Sequence, residues 1–228
     1  MQKKITWLLL LLITSLNAQN IKSIQLRPLQ ENVFTAIVPL GTVLELSFDD
    51  LDADSKEYQY KIEHMTHDWQ KSRLLSSQFI NGFDQNTIIN VTNSFNTLQN
   101  YNHYSVKIPN INTIITKTGN YLLSVLNSYD EAVFTRRFVL YENRATIAVS
   151  VERSRNTKTV NTQQTIQFSI NHSQIRINNP NQEINVAIIK NNNWNEIINN
   201  LQPTFFKPNQ LLYTYTNKTN FWGGNEYL

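Results

Sequence analysis

"LELSFDDLDADSKEYQYKIEHMTHDW", Leu44 to Trp69, is the stretch on which the fold turns. Its first part, with Val43 just before it, alternates Leu44 and Leu46 with polar neighbours and ends at Phe48. Its second part places Tyr58, Tyr60, Ile62 and His64 on one face and Gln59, Lys61 and Glu63 on the other. A period of two is that of a strand with one buried face. Between the two strands Asp50, Asp52 and Asp54 occupy every second position, as the first ligands of a calcium loop would. A calcium loop between two helices also needs Gly at its sixth position and a bidentate Glu at its twelfth. Counted from Asp50, those positions hold Ser55 and Lys61. The acidic run therefore reads as a strand connection, where Asp is favoured by hydrogen bonds to its own backbone. His64, His67 and Asp68 suggest a metal or proton-transfer site only on a helix, since on a strand a spacing of three points to opposite faces. The strand reading makes His64 a residue packed among aromatics. Asp68-Trp69 reads as a turn that delivers an indole to the core.

The same pattern extends in both directions. "IKSIQLRP" precedes the stretch, and "NTIINVT", "YNHYSVKIP", "NYLLSVL" and "AVFTRRFVLYE" follow it. About seven short strands in roughly 120 residues, with turn signals between them, suit an immunoglobulin-like sandwich. "KTGNYLLSVL" puts Tyr121 just after a Gly at the start of the penultimate strand, where a tyrosine corner would sit. After "YENRA" the pattern restarts with "TIAVSVER", "QQTIQFSIN", "EINVAIIKNNNW" and "LLYTYTN". In each half an alternating strand and a second strand are followed by a Trp, Trp69 or Trp194. The expectation is an all-β chain of tandem immunoglobulin-like or fibronectin-like β-sandwiches. The first spans 19–142; the second spans 143–228 and is incomplete at its C-terminal end, with Trp69 deeply buried and Trp222 less so.

Residues 1–18, "MQKKITWLLLLLITSLNA", have a basic start at Lys3 and Lys4, an apolar run and a small residue, Ala18, at the cut. This is the form of a secretory signal peptide, with an apolar run too short to span a bilayer. No Cys follows it, so a lipoprotein-type anchor is not expected. Taking Lys3 and Lys4 from the 20 Lys+Arg leaves 18 against 17 Asp+Glu. Residues 19–142 hold 10 basic and 13 acidic residues, and 143–228 hold 8 and 4. Neither half has a basic run that points to nucleic acid. With Cys 0, an exported chain depends on burial of an ordinary core, which this length allows.

No catalytic constellation emerges. His103 and His172 lie on different predicted strands with no acidic neighbour close in sequence. There is no G-x-S-x-G elbow, and of 5 Gly only Gly223 and Gly224 are close together, which excludes a phosphate loop. Asp49 and Asp50 are adjacent, so on an extended chain their carboxylates diverge. No catalytic, cofactor-binding or metal residue is assigned.

The ordered set "IQLRP", "PLG", "LSFDDL", "YQYKIEH", "DW", "YNHYSVKIPN", "TGNYLLSV", "RRFVLYE" and "NEY" resembles the plug protein family of the type IX secretion system of Bacteroidetes. The resemblance runs from Ile21 to Tyr227, and members of that family extend further at the C-terminus. It implies a non-enzymatic periplasmic protein that docks on the outer-membrane translocon barrel and seals it between export events. It brings no catalytic residue, and the interface residues are left open. The competing expectation is an exported surface or polysaccharide-binding sandwich module.

Overall fold

The computed structural model describes residues 20–30 and 32–224. The proposed leader, Glu31 and the "NEY" segment lie outside the described residues. The first half runs β1 (Ile21–Pro28), β2 (Ile37–Pro39), β3 (Leu44–Asp50), β4 (Gln59–Met65), β5 (Ile80–Gly82) and β6 (Gln85–Thr87). It continues through β7 (Asn90–Asn93), β8 (Asn102–Ile108), β9 (Thr113–Ile115), β10 (Gly119–Leu126) and β11 (Ala132–Tyr141). One sheet has the order β1-β3-β8-β7, the other β2-β11-β10-β4-β6, and β5 and β9 form a small ribbon. The two larger sheets form a sandwich, and its core follows the alternation in the sequence. Leu44, Leu46 and Phe48 from β3 meet Tyr60 and Ile62 from β4 and Tyr121, Leu123 and Val125 from β10. The Phe48 ring stacks on Tyr104 at 5.1 Å and meets Tyr58 edge-on at 5.3 Å. Such ring pairs stabilise beyond the area they bury, by about 1 kcal/mol each.

Tyr121 forms the expected corner: its hydroxyl donates to the Lys117 carbonyl at 2.7 Å. Gly119, two residues earlier, has φ +153°, and a Cβ there would lie 2.4 Å from His64 Nε2. Glycine is needed for the close approach as well as for the backbone. "NTIINVT", read as one strand, is two. β6 pairs with β4 in one sheet and β7 with β8 in the other, and the buried Ile88 lies at the crossing between them. Period-two patterning cannot distinguish one strand from two that lean on different sheets.

The second half runs β12 (Thr146–Arg153), β13 (Gln163–Asn171), a one-turn α1 (Pro180–Glu183), β14 (Ile188–Ile189), β15 (Ile197–Ile198), β16 (Phe205–Lys207), β17 (Gln210–Tyr213) and β18 (Asn220–Trp222). β12-β13-β17-β16 form one sheet, with β18 also paired to β13, and β14 and β15 make a ribbon. "EINVAIIKNNNW" thus contributes two strand residues rather than a full strand. Its apolar residues Ile184, Val186 and Ile188 instead pack on Phe168, Leu211 and Tyr213 as a cover over the sheet. Among the described residues this cover, with Ile188 and Ile198 of the β14–β15 ribbon, packs on the core of that sheet, and β12 lies beyond its reach. Ile147, Val149 and Val151 on β12 form a row about 60% exposed, at 59%, 60% and 59%. Trp222 is 65% exposed, in line with its expected shallow burial.

Candidate functional site

The acidic connection forms a compact cluster. Asp50, last in β3, is fully buried at 0% exposure and accepts from the Tyr58 hydroxyl at 2.9 Å and the Asp52 N–H at 3.0 Å. Carboxylate oxygens of Asp50, Asp52 and Asp54 lie within 4.8 Å of one another. Lys56 Nζ sits among them, 3.2 Å from Asp50 and from Asp54 and in a short contact with Asp52. Burial alone would depress the Lys56 ammonium, but its hydrogen bonds to Asp52, Asp50 and Asp54 carry it above the ordinary lysine value. The hydrogen bond from Lys56 holds Asp52 below the usual carboxylate range. Burial, then Asp50, pushes the Tyr58 hydroxyl well above the ordinary tyrosine value. The three carboxylates that could ligate a cation are gathered around an ammonium that belongs to the chain itself.

The histidines are separated. His64 meets Tyr121 edge-on at 5.2 Å and Phe79 at 5.6 Å, and burial lowers its pKa below 6.5. His67 and Asp68 lie on the exposed turn after β4. His103 has an acidic partner that the sequence concealed: Asp49 lies opposite it in the β3–β8 register, and His103 Nδ1 is 2.7 Å from Asp49 Oδ1. The only signal for that pair is strand register, a long-range property. Asp49 and Asp50 do diverge, one toward His103 and the other into the core. His172 Nδ1 lies 3.2 Å from the Ile175 carbonyl and so braces a turn.

Trp69 corrects an expectation. It is half-buried rather than deep in the core, because the Thr66–Gln70 turn, with Trp69 at φ +62°, directs the indole outward. There it meets Trp194 edge-on at 4.9 Å, and the Arg137 guanidinium lies 4.7 Å from one ring and 5.8 Å from the other. The two tryptophans that marked the echo between the halves are in contact. Arg137 projects from the outer side of β11, whereas its neighbour Arg136 turns toward the gap between the sheets, 5.6 Å from the Phe134 ring. Beside them opens a cleft of about 440 Å³. Its walls are the outer edge of β1 from Ile24 to Arg27, the segment Phe34–Ile37, Arg136, Arg137, Asn192 and Trp194.

A family model described as "Type 9 secretion system plug protein 1st domain" matches residues 21–142, the whole of the first sandwich. The chain belongs to the type 9 secretion system plug protein family. The family's name ties the matched segment to the plug protein of that secretion system. A crystal structure of a hypothetical protein from Parabacteroides merdae ATCC 43184 superposes with a TM-score of 0.86 at 29% identity, over 93% of this chain and 54% of that one. The chain therefore spans about half the length of that solved protein. No curated protein matches it.

Proposed function

We propose that this plug-family protein is a non-enzymatic periplasmic subunit that seals the outer-membrane translocon barrel of the type IX system between export events. The observation that carries the reading is the family match across the first sandwich, 21–142. The division into a leader at 1–18, one sandwich unit at 19–142 and a second unit at 143–228 is part of the same proposal. An export barrel wide enough for folded cargo leaks solutes when empty. Its seal must be stiff and must bind reversibly. The first sandwich is suited to this: its aromatic core and buried Asp50 network fix the ends of the strands, so little conformational entropy is lost on docking. A seal displaced at each export event needs an ordinary contact of about 1,600 Å² with a polar rim, not one of the tightest known interfaces.

Deleting the gene in cells that keep the barrel is expected to raise outer-membrane permeability to large antibiotics or dyes. Unchanged permeability would transfer the assignment to an exported polysaccharide-binding module.

A further inference from the structure

We propose that the cleft between the edge of β1 and the β2–β11 edge binds an extended, carboxylate-bearing segment of a protein partner. Four observations support this. The first is charge: Arg27, Arg136 and Arg137 line the cleft, and among the described residues no carboxylate lines it. Among the described residues no ion pair engages any of the three arginines. Glu63, on the same sheet, is already paired with Lys71 at 2.6 Å.

The second is pre-organisation. Arg137 is held beside both Trp69 and Trp194, its guanidinium carbon 4.7 Å and 5.8 Å from their ring centroids, which restricts where its head can lie. A guanidinium confined in this way loses little freedom when its flat fork of N–H groups pairs with a carboxylate through two hydrogen bonds. Arg136 is half-buried, and burial lowers its pKa from the ordinary arginine value while it remains a cation. A partly desolvated cation without a carboxylate is costly to hold, and an incoming carboxylate would relieve that cost.

The third is backbone. β1 lies at the end of its sheet and is paired only with β3, so its outer row of N–H and C=O groups has no neighbouring strand. A strand laid along that edge would aim every second side chain into the cleft. The fourth is apolar surface beside the charge: Ile24, partly buried in β1, and Phe34, 72% exposed, flank the arginines. An extended segment that alternates Glu or Asp with β-branched residues fits both features.

The inference deepens the docking reading and depends on it only for the identity of the partner. The probe is a fluorescein-labelled peptide, Thr-Glu-Val-Glu-Thr-Glu-Val, compared with its Gln counterpart by anisotropy at low ionic strength. The Glu peptide is expected to bind at least tenfold more tightly. Arg136→Gln and Arg137→Gln should each weaken it about tenfold, with near-UV circular dichroism unchanged, as for loss of one charge-assisted pair. Arg137→Lys should lose most of the same affinity, because a point charge lacks the flat fork. Arg27→Gln, on the exposed edge strand, keeps the test open if the other variants misfold, and should weaken binding about threefold.

Equal binding of the Glu and Gln peptides, or full affinity in the arginine variants, would overturn the proposal. So would displacement of the peptide by an oligothymidylate of matched charge at the same concentration, which would mark a general anion patch. Peptide binding without co-purification of the barrel would keep the cleft and discard the plug reading. Co-purification without peptide binding would do the reverse.

Discussion

In the first sandwich Tyr58, Tyr60, Tyr104 and Tyr121 bury their rings and each hydroxyl meets a partner, whereas Tyr213, in the sheet that follows, buries its hydroxyl with none. The contrast extends to the aliphatic residues. Leu44, Leu46 and Ile62 are enclosed between two sheets, while Ile147, Val149 and Val151 alternate in the same way on β12 and stay exposed. Both regions obey the period of two. What separates them is whether a second layer covers the apolar face, and that decides where substitutions should matter.

The largest expected effect is at Phe48, fully buried and in contact with three other rings. Phe48→Ala should cost about 4 kcal/mol in urea unfolding. Val149→Thr on the exposed row should change stability by less than about 0.5 kcal/mol. If the two substitutions cost the same, the difference in closure between the regions is not real.

Next in size is the Asp50–Lys56 network. Lys56→Met removes the cation from a fully buried carboxylate, but the ammonium is itself about one-third exposed (32%), so the usual penalty for breaking a buried pair is discounted. A loss of about 2 kcal/mol is expected. Calorimetry on the unsubstituted protein should show no micromolar calcium site, because Lys56 Nζ occupies the centre of the acidic triad. A tight calcium isotherm abolished by Asp52→Ala would contradict that account.

The tyrosines sharpen the comparison further. Tyr121→Phe strips the donor from the corner and leaves the Lys117 carbonyl without it, a cost of about 1 kcal/mol. Burial pushes the Tyr213 hydroxyl up to about 12. Tyr213→Phe removes a buried group with no partner and should be neutral or slightly stabilising.

The smallest effect is pH dependence through His64. Its folded pKa is lowered below 6.5 by burial, so the unfolded chain takes up the proton more readily. The stability due to the neutral ring is present above 6.5 and lost as pH falls through the folded value. His64→Gln should flatten the stability profile between neutral pH and about pH 5.5. Asp52 and Asp68, both lowered from 3.8, act only in a more acidic window.

Much of this was legible in the chain. β1, β12 and β13 begin and end where the alternating runs do, and the Gly119–Tyr121 spacing identified the corner, because these features depend on neighbouring residues alone. The break in "NTIINVT" was not legible, since β6 and β7 are assigned to their sheets by distant partners. Nor was the outward turn of Trp69, which depends on a positive φ that a non-glycine residue does not advertise. The arginine cleft was hidden for a related reason. Arg27 is far in sequence from the adjacent Arg136 and Arg137, and Trp194 comes from the second half, so only the folded chain collects them.

The most direct test of the plug assignment is affinity purification of the tagged protein from solubilised outer membranes of cells that make the translocon barrel. The account predicts that the barrel is recovered with it, and that recovery falls when salt is raised, as for a contact with a polar rim. Repeated recovery of the protein without the barrel, from cells in which the barrel is demonstrably present, would contradict it.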